Sequence, residues 1–111
     1  MAENYLRTNN YLILERNWHA GLYGEIDLIC LKDKILVFVE VRGRNSRLGH
    51  EDALISINKN KIKKLYKSIQ IYLQKAEKEK IINFENIRFD VITASNSGLK
   101  HFDNICLLDY L

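Results

Sequence analysis

The sequence predicts an α/β fold, a sheet with helical cover in one domain, and three features carry that prediction. Residues 25–31 and 35–42 are two runs of strong strand character separated by polar Lys32-Asp33-Lys34, as in a hairpin. Residues 56–76 repeat apolar side chains at three-and-four spacing, the mark of a helix with one buried face. Residues 88–93 form another strand-like run, and strands on both sides of a long helix make a sheet with helical cover.

In chain order, residues 1–9 read as the tail of a helix that runs into Asn9-Asn10. Residues 11–14 read as a first strand closing near Arg16-Asn17-Trp18, and Gly21 and Gly24 punctuate a turn. The hairpin follows, then a loop over 44–50. In the long helix the seam is Ile57, Ile62, Leu65, Tyr66, Ile69, Tyr72, Leu73 and Ala76. A last strand is expected over 105–108.

A chain of 111 residues, 47% of them hydrophobic, is the size of one domain with a real core. Proline, low-complexity tracts and internal repeats are absent, so no linker is expected. No apolar run approaches the roughly 20 residues of a membrane span, and the start lacks the character of a secretion signal. A cytoplasmic protein with no membrane partner is the expectation. Cys30 and Cys106 lie in apolar stretches too far apart for zinc-ligand spacing, and read as small buried hydrophobes kept reduced. His19, His50 and His101 are scattered and expected at the surface. His50 is kept as a minor candidate because it lies just past the hairpin.

The hairpin carries the chemistry. Side chains alternate across a strand, so a connection of two or four residues sets Asp27 opposite Glu40 and Glu25 opposite Arg42; three residues would separate the acids. Opposed carboxylates on apolar strands repel, by up to ~1 kcal/mol, and one pKa rises unless a cation lies between them. Mg²⁺ suits such a pair, taking one or two carboxylates plus water and phosphate oxygens. It would acidify a bound water and polarise a phosphate. The plainer reading is two solvated strand-end acids, with Glu25 and Arg42 as an ordinary cross-strand ion pair.

Net charge is +3, but Lys59, Lys61, Lys63, Lys64 and Lys67 crowd into nine residues, which favours an anionic partner, most commonly nucleic acid. Lys59, Lys63 and Lys67 form an i, i+4, i+8 stripe. It reads either as a solvated outer face or as a phosphate-tracking surface aided by Arg44 and Arg47. Tyr66 and Tyr72 are placed on the core face, leaving no aromatic residues to interleave with the lysines. Binding would sense backbone and shape.

Gly24-Glu25-Ile26-Asp27-Leu28-Ile29, then Phe38-Val39-Glu40-Val41-Arg42 and Arg44, resemble the signature of the YraN-like family, also called uncharacterised protein family 0102. That family is similar to archaeal Holliday-junction resolvases and the wider PD-(D/E)xK nucleases. Residues 2–17 resemble its opening, residues 61–73 its helix pattern and Arg88-Phe89-Asp90-Val91-Ile92 its "RFDVI" strand, so the likeness spans nearly the whole chain.

The resemblance implies a restriction-endonuclease-like mixed sheet flanked by helices, and metal-dependent cleavage of DNA phosphodiesters, branched DNA included. Asp27 and Glu40 would hold Mg²⁺ or Mn²⁺ with the backbone carbonyl of Val41. Glu25 would assist or orient, and Arg42 would contact the scissile phosphate. Arg42 stands where the signature has lysine, and a guanidinium cannot shed a proton to act as a base. Lys61 is a candidate to reach the site from the helix. The chain begins at what resembles the middle of the family's first helix, and the acid usual there has no counterpart, Glu3 lying elsewhere in the pattern. By analogy with resolvases a homodimer is expected. The alternative is a catalytically inactive nucleic-acid-binding module of the same fold.

Overall fold

Asp33 and Lys34 join the two central strands. Both have positive φ, 48° and 64°, the backbone of a two-residue turn whose twist matches its flanking strands. In the computed structural model, which describes residues 1–43 and 59–107, β2 (Glu25–Lys32) and β3 (Ile35–Arg42) pair antiparallel from Lys32↔Ile35 to Leu28↔Val39. Helix α1 (Ala2–Thr8) and strand β1 (Leu12–His19) come before them, and β1 pairs antiparallel with β2. Helix α2 (Lys59–Glu79) lies on the connection to β4 (Asn86–Ser95), which runs parallel to β3 as a helical crossover allows. A tight turn at Asn96-Ser97 leads to antiparallel β5 (Gly98–Phe102). The mixed sheet has the order β1-β2-β3-β4-β5, a restriction-endonuclease-like α/β arrangement.

The two helices cover opposite faces. Ile62, Leu65, Ile69, Tyr72 and Ala76 of α2 pack on Ile29, Leu36, Phe38, Phe89 and Val91. Tyr72 meets Trp18 and Phe38 edge-on, at centroid distances of 5.0 and 5.8 Å. On the other face Leu6 of α1 and Tyr11 cover Leu28, Cys30, Val37, Val39 and Ile92. Residues two apart in a strand share a face, which is why these sets alternate along β3 and β4. Burial pushes the Cys30 thiol up to about 12, so it is an inert core residue.

Beneath α1 a polar network is buried. Asp90 accepts from Arg88 through Nε (2.9 Å) and Nη2 (2.8 Å), from the Asn104 backbone N–H (3.0 Å), and sits 2.6 Å from Nε2 of His101. The other nitrogen of His101 bonds the Tyr5 hydroxyl at 3.0 Å, and Arg88 donates to the Tyr11 hydroxyl at 2.6 Å. The network thereby ties α1 to β4 and β5. Burial alone would raise the Asp90 pKa, but the bonds from His101, Arg88 and Asn104 outweigh it and hold the carboxyl below its ordinary range.

Several expectations change. The first strand, expected to close near Arg16-Asn17-Trp18, ends one residue further on at His19 and absorbs a bulge at Leu14. His101 is not a surface residue, because Asp90 and Tyr5 hold both its ring nitrogens. Cys106 is exposed. Among the described residues the last strand is β5, and residues 105–107 are not extended into a strand. Asn104, at φ 56°, turns the chain there, and Ile105 N–H makes a bond to Phe89 O. Leu108 lies outside the described residues. Tyr66 is half exposed rather than in the core.

Replacing Asp90 by Ala strands the Arg88 guanidinium, and urea denaturation is expected to register a loss of about 3–5 kcal/mol. Because its folded pKa is depressed, the contribution of Asp90 is full above its ordinary pKa of 3.8 and is lost only as pH falls through the lower folded value.

Candidate functional site

The site begins where strand alternation fails. Arg16 pairs with Leu28 and Trp18 with Ile26, yet the first rung lies on the α1 side and the second on the α2 side. Both strands therefore turn over within two residues. On β1 the turn falls at Asn17, whose φ of 46° is a conformation asparagine tolerates better than most residues. On β2 it falls at Asp27. Its carboxylate reaches across to β3, where Oδ2 accepts the Val41 backbone N–H at 2.8 Å, a charge-assisted bond that fixes the side chain just beyond the last paired rung.

The two-residue turn supplies the parity that brings Asp27 and Glu40 together at this level. Glu40 points from β3 into a cleft of about 320 Å³ beneath α2, lined by Gly24, Glu25, Asp27, Lys61, Lys64 and Leu65 among others. Glu40 is only 3% exposed. Its pKa is pushed up to about 8, first by burial, then by the hydrogen bond and charge of Asp27, with Lys61 pulling the other way. The Lys61 ammonium stands 3.1 Å from Oε2, and still this buried oxygen receives no hydrogen bond of acceptable geometry. An ion pair alone does not saturate a carboxylate oxygen.

Such a site suits a hard divalent cation. Two carboxylates, one oxygen unsatisfied and one acid carrying an unfavourable charge, match what Mg²⁺ or Mn²⁺ takes from protein when phosphate and water supply the rest. Among the described residues no group of three His, Cys, Asp or Glu side chains gathers, so a closed structural metal site is not what these residues form.

Lys61 thus does arrive at the acids from α2, with Lys64 beside it. Lys67 sits over the Tyr23 ring at 5.4 Å, while Lys59 and Lys63 are exposed and outside the cleft lining. Of the five lysines, Lys61 and Lys64, the pair flanking the expected stripe, line the cleft, and Lys59, Lys63 and Lys67 do not. Glu25 pairs with His19 of β1 at 3.2 Å and touches the cleft rim. Arg42 lines a different hollow, on the α1 side, with Glu3, Arg16 and Asp27. Asp27 borders both spaces. The expectation that Glu25 and Arg42 face each other across the hairpin gives way to these separate settings, since the ladder ends at Leu28↔Val39. Arg44, Arg47 and His50 lie outside the described residues. Gly24 needs its lack of side chain because its φ is 135°, a backbone conformation that other residues rarely adopt.

A sequence model of the "Uncharacterised protein family UPF0102" matches residues 1–94. A UPF0102 protein of Persephonella marina is 38% identical over 109 residues, 98% of this chain and 89% of its own length. One from Syntrophomonas wolfei is 42% identical over 94 residues, 84% of this chain and 76% of the relative. One from Fervidobacterium nodosum is 36% identical over 106 residues, covering 95% and 75%. With the match spanning both strands of the hairpin, helix α2 and most of β4, the chain belongs to the uncharacterised protein family UPF0102.

Proposed function

We propose that the chain is a metal-dependent endonuclease that hydrolyses DNA phosphodiesters, branched DNA being the expected substrate, with its centre at Asp27 and Glu40. One observation carries the reading: a buried Glu40 oxygen without a hydrogen bond, beside a second carboxylate, in a cleft walled by lysines. A structural role would favour replacing such an acid by an apolar residue, since a buried carboxylate set beside a second one costs stability.

Asp27, held by the Val41 N–H, presents its remaining lone pairs to the cleft, and Glu40 contributes Oε2; these two would hold Mg²⁺ or Mn²⁺. Once bound, the cation supplies an acidified water and draws charge from the phosphate. Lys61 exchanges its contact with Glu40 for the entering phosphate, and Lys64 binds the neighbouring one. Water adds to phosphorus, the P–O bond to one sugar breaks, and the products are a phosphate monoester and a free hydroxyl. Arg42, outside the cleft, is assigned to the adjoining strand rather than to proton transfer. Cutting both strands of a branched substrate requires two copies of the site, which a homodimer would provide.

The contact between Lys61 and Glu40 also favours a second reading, in which the ammonium permanently stands in for the cation and the domain binds nucleic acid without cutting it. A cleavage assay on linear, flapped and four-way DNA with Mg²⁺ and Mn²⁺ separates the two. Cleavage by the native protein, lowered at least about 100-fold in Asp27→Asn and Glu40→Gln and about tenfold in Lys61→Ala, is the expected result. Binding without cleavage by the native protein assigns the second reading.

The burial of Glu40 has a signature of its own. A carboxyl with a folded pKa of about 8 against 4.5 unfolded is neutral at no cost below 4.5, and destabilises increasingly as pH rises to about 8. Without divalent ions Glu40→Gln is therefore expected to be more stable than the native protein by on the order of 2–4 kcal/mol near pH 9, with the gap closing toward pH 4.5. Millimolar Mg²⁺ should raise the native melting temperature most at high pH and leave Glu40→Gln unmoved. Calorimetry across pH reads both effects.

A further inference from the structure

The turn between β1 and β2 ends in a projecting tip, the 3₁₀ segment Gly21–Tyr23. Leu22 is fully exposed and Tyr23 is 53% exposed, while a Cβ at Gly21 would meet nothing within 4 Å. Two adjacent large side chains held in water contribute little to the fold and leave an apolar and aromatic surface open to a partner. Backbone bonds keep the tip in position, from Ala20 N–H to Gly24 O at 2.9 Å and from Tyr23 N–H to Ala20 O at 3.1 Å. Gly24 anchors its base against α2.

The tip also stands at the end of a charged track. Lys61, Lys64 and Lys67 lie three residues apart along α2, the first two lining the cleft and the third at the tip. Lys61 meets Glu40, the Lys64 stem abuts Gly24 and Lys67 covers the Tyr23 ring. At 1.5 Å of rise per residue the row is about 9 Å long, the length of two to three nucleotides of stacked strand. A strand with its scissile phosphate at the acids and its next phosphates along the lysines arrives at Leu22 and Tyr23 with a base.

We propose that Leu22 and Tyr23 take up one unpaired nucleobase two to three nucleotides from the scissile phosphate, so that the site engages a strand where it leaves a duplex. The inference rests on the nucleic-acid reading of the cleft and adds a determinant of substrate choice to it. Lysines alone attract any duplex, whereas an aromatic face and an apolar wedge reward only a base released from its stack. Lys67 completes the platform as a cation on the Tyr23 ring, and the rest of the side chain stays open for the base.

The test is fluorescence anisotropy on a forked DNA and a fully paired duplex of equal length, without divalent ions, using the full chain. The native protein is expected to prefer the fork by about tenfold. Leu22→Ala/Tyr23→Ala should bring fork binding down to the duplex value and leave duplex binding unchanged, and Tyr23→Trp should keep the preference. Equal native binding to both DNAs overturns the inference, as does a double variant that loses equally on both, or Tyr23→Trp behaving like Tyr23→Ala. A native protein that discriminates the fork but never cuts it upholds the inference and defeats only the nuclease reading. Failure to bind either DNA defeats both.

Discussion

Two carboxylates are forced together by the backbone, and most of what is distinctive in this domain follows from it. The Asp33-Lys34 turn sets the parity of the hairpin, the reversal at Asn17 and Asp27 swings the Asp27 side chain toward β3, and the Val41 N–H fixes it there. Glu40 is then held under α2 with an acid as its neighbour and a lysine as partial compensation. No packing requirement calls for this arrangement, since β3 is otherwise apolar on both faces at Leu36, Val37, Phe38 and Val39. The strain is electrostatic and confined to one end of the sheet.

The opposite end of the electrostatic scale lies under α1. Asp90 is as buried as Glu40, yet its bonds from Arg88, His101 and Asn104 leave it well satisfied and more acidic than usual. The contrast separates two uses of a buried acid. One staples α1 to the sheet, and the other keeps an oxygen available. The ordinary parts of the domain, the Trp18–Tyr72–Phe38 packing and the polar staple, hold the frame against which the pair at Asp27 and Glu40 is kept.

Local pattern made much of this visible beforehand. Runs of strand-forming residues and a polar interruption located β2 and β3, and a two-residue connection, one of the lengths considered, brings Asp27 to Glu40. Three-and-four spacing located α2, and the resemblance to the YraN-like family agreed with the match to UPF0102. What escaped was three-dimensional. A strand that turns over at one residue keeps its apolar letters, so nothing marked Asn17 as the point where faces exchange. The spacing rule drew the stripe through Lys59, Lys63 and Lys67, whereas the cleft is lined by Lys61 and Lys64, which flank that stripe. His101 looked isolated because its partners Tyr5 and Asp90 are 96 and 11 residues away. Asn96-Ser97 with Gly98 was the overlooked turn signal for β5, and apolar 105–108 drew attention from it.

Whether Asp27 and Glu40 jointly hold one cation is the central question, and a crystal grown with Mn²⁺ answers it through anomalous scattering. A single peak is expected within bonding distance of both carboxylates, with Lys61 displaced from Glu40. A map with no peak between them, Lys61 still paired to Glu40 at saturating Mn²⁺, would contradict that expectation.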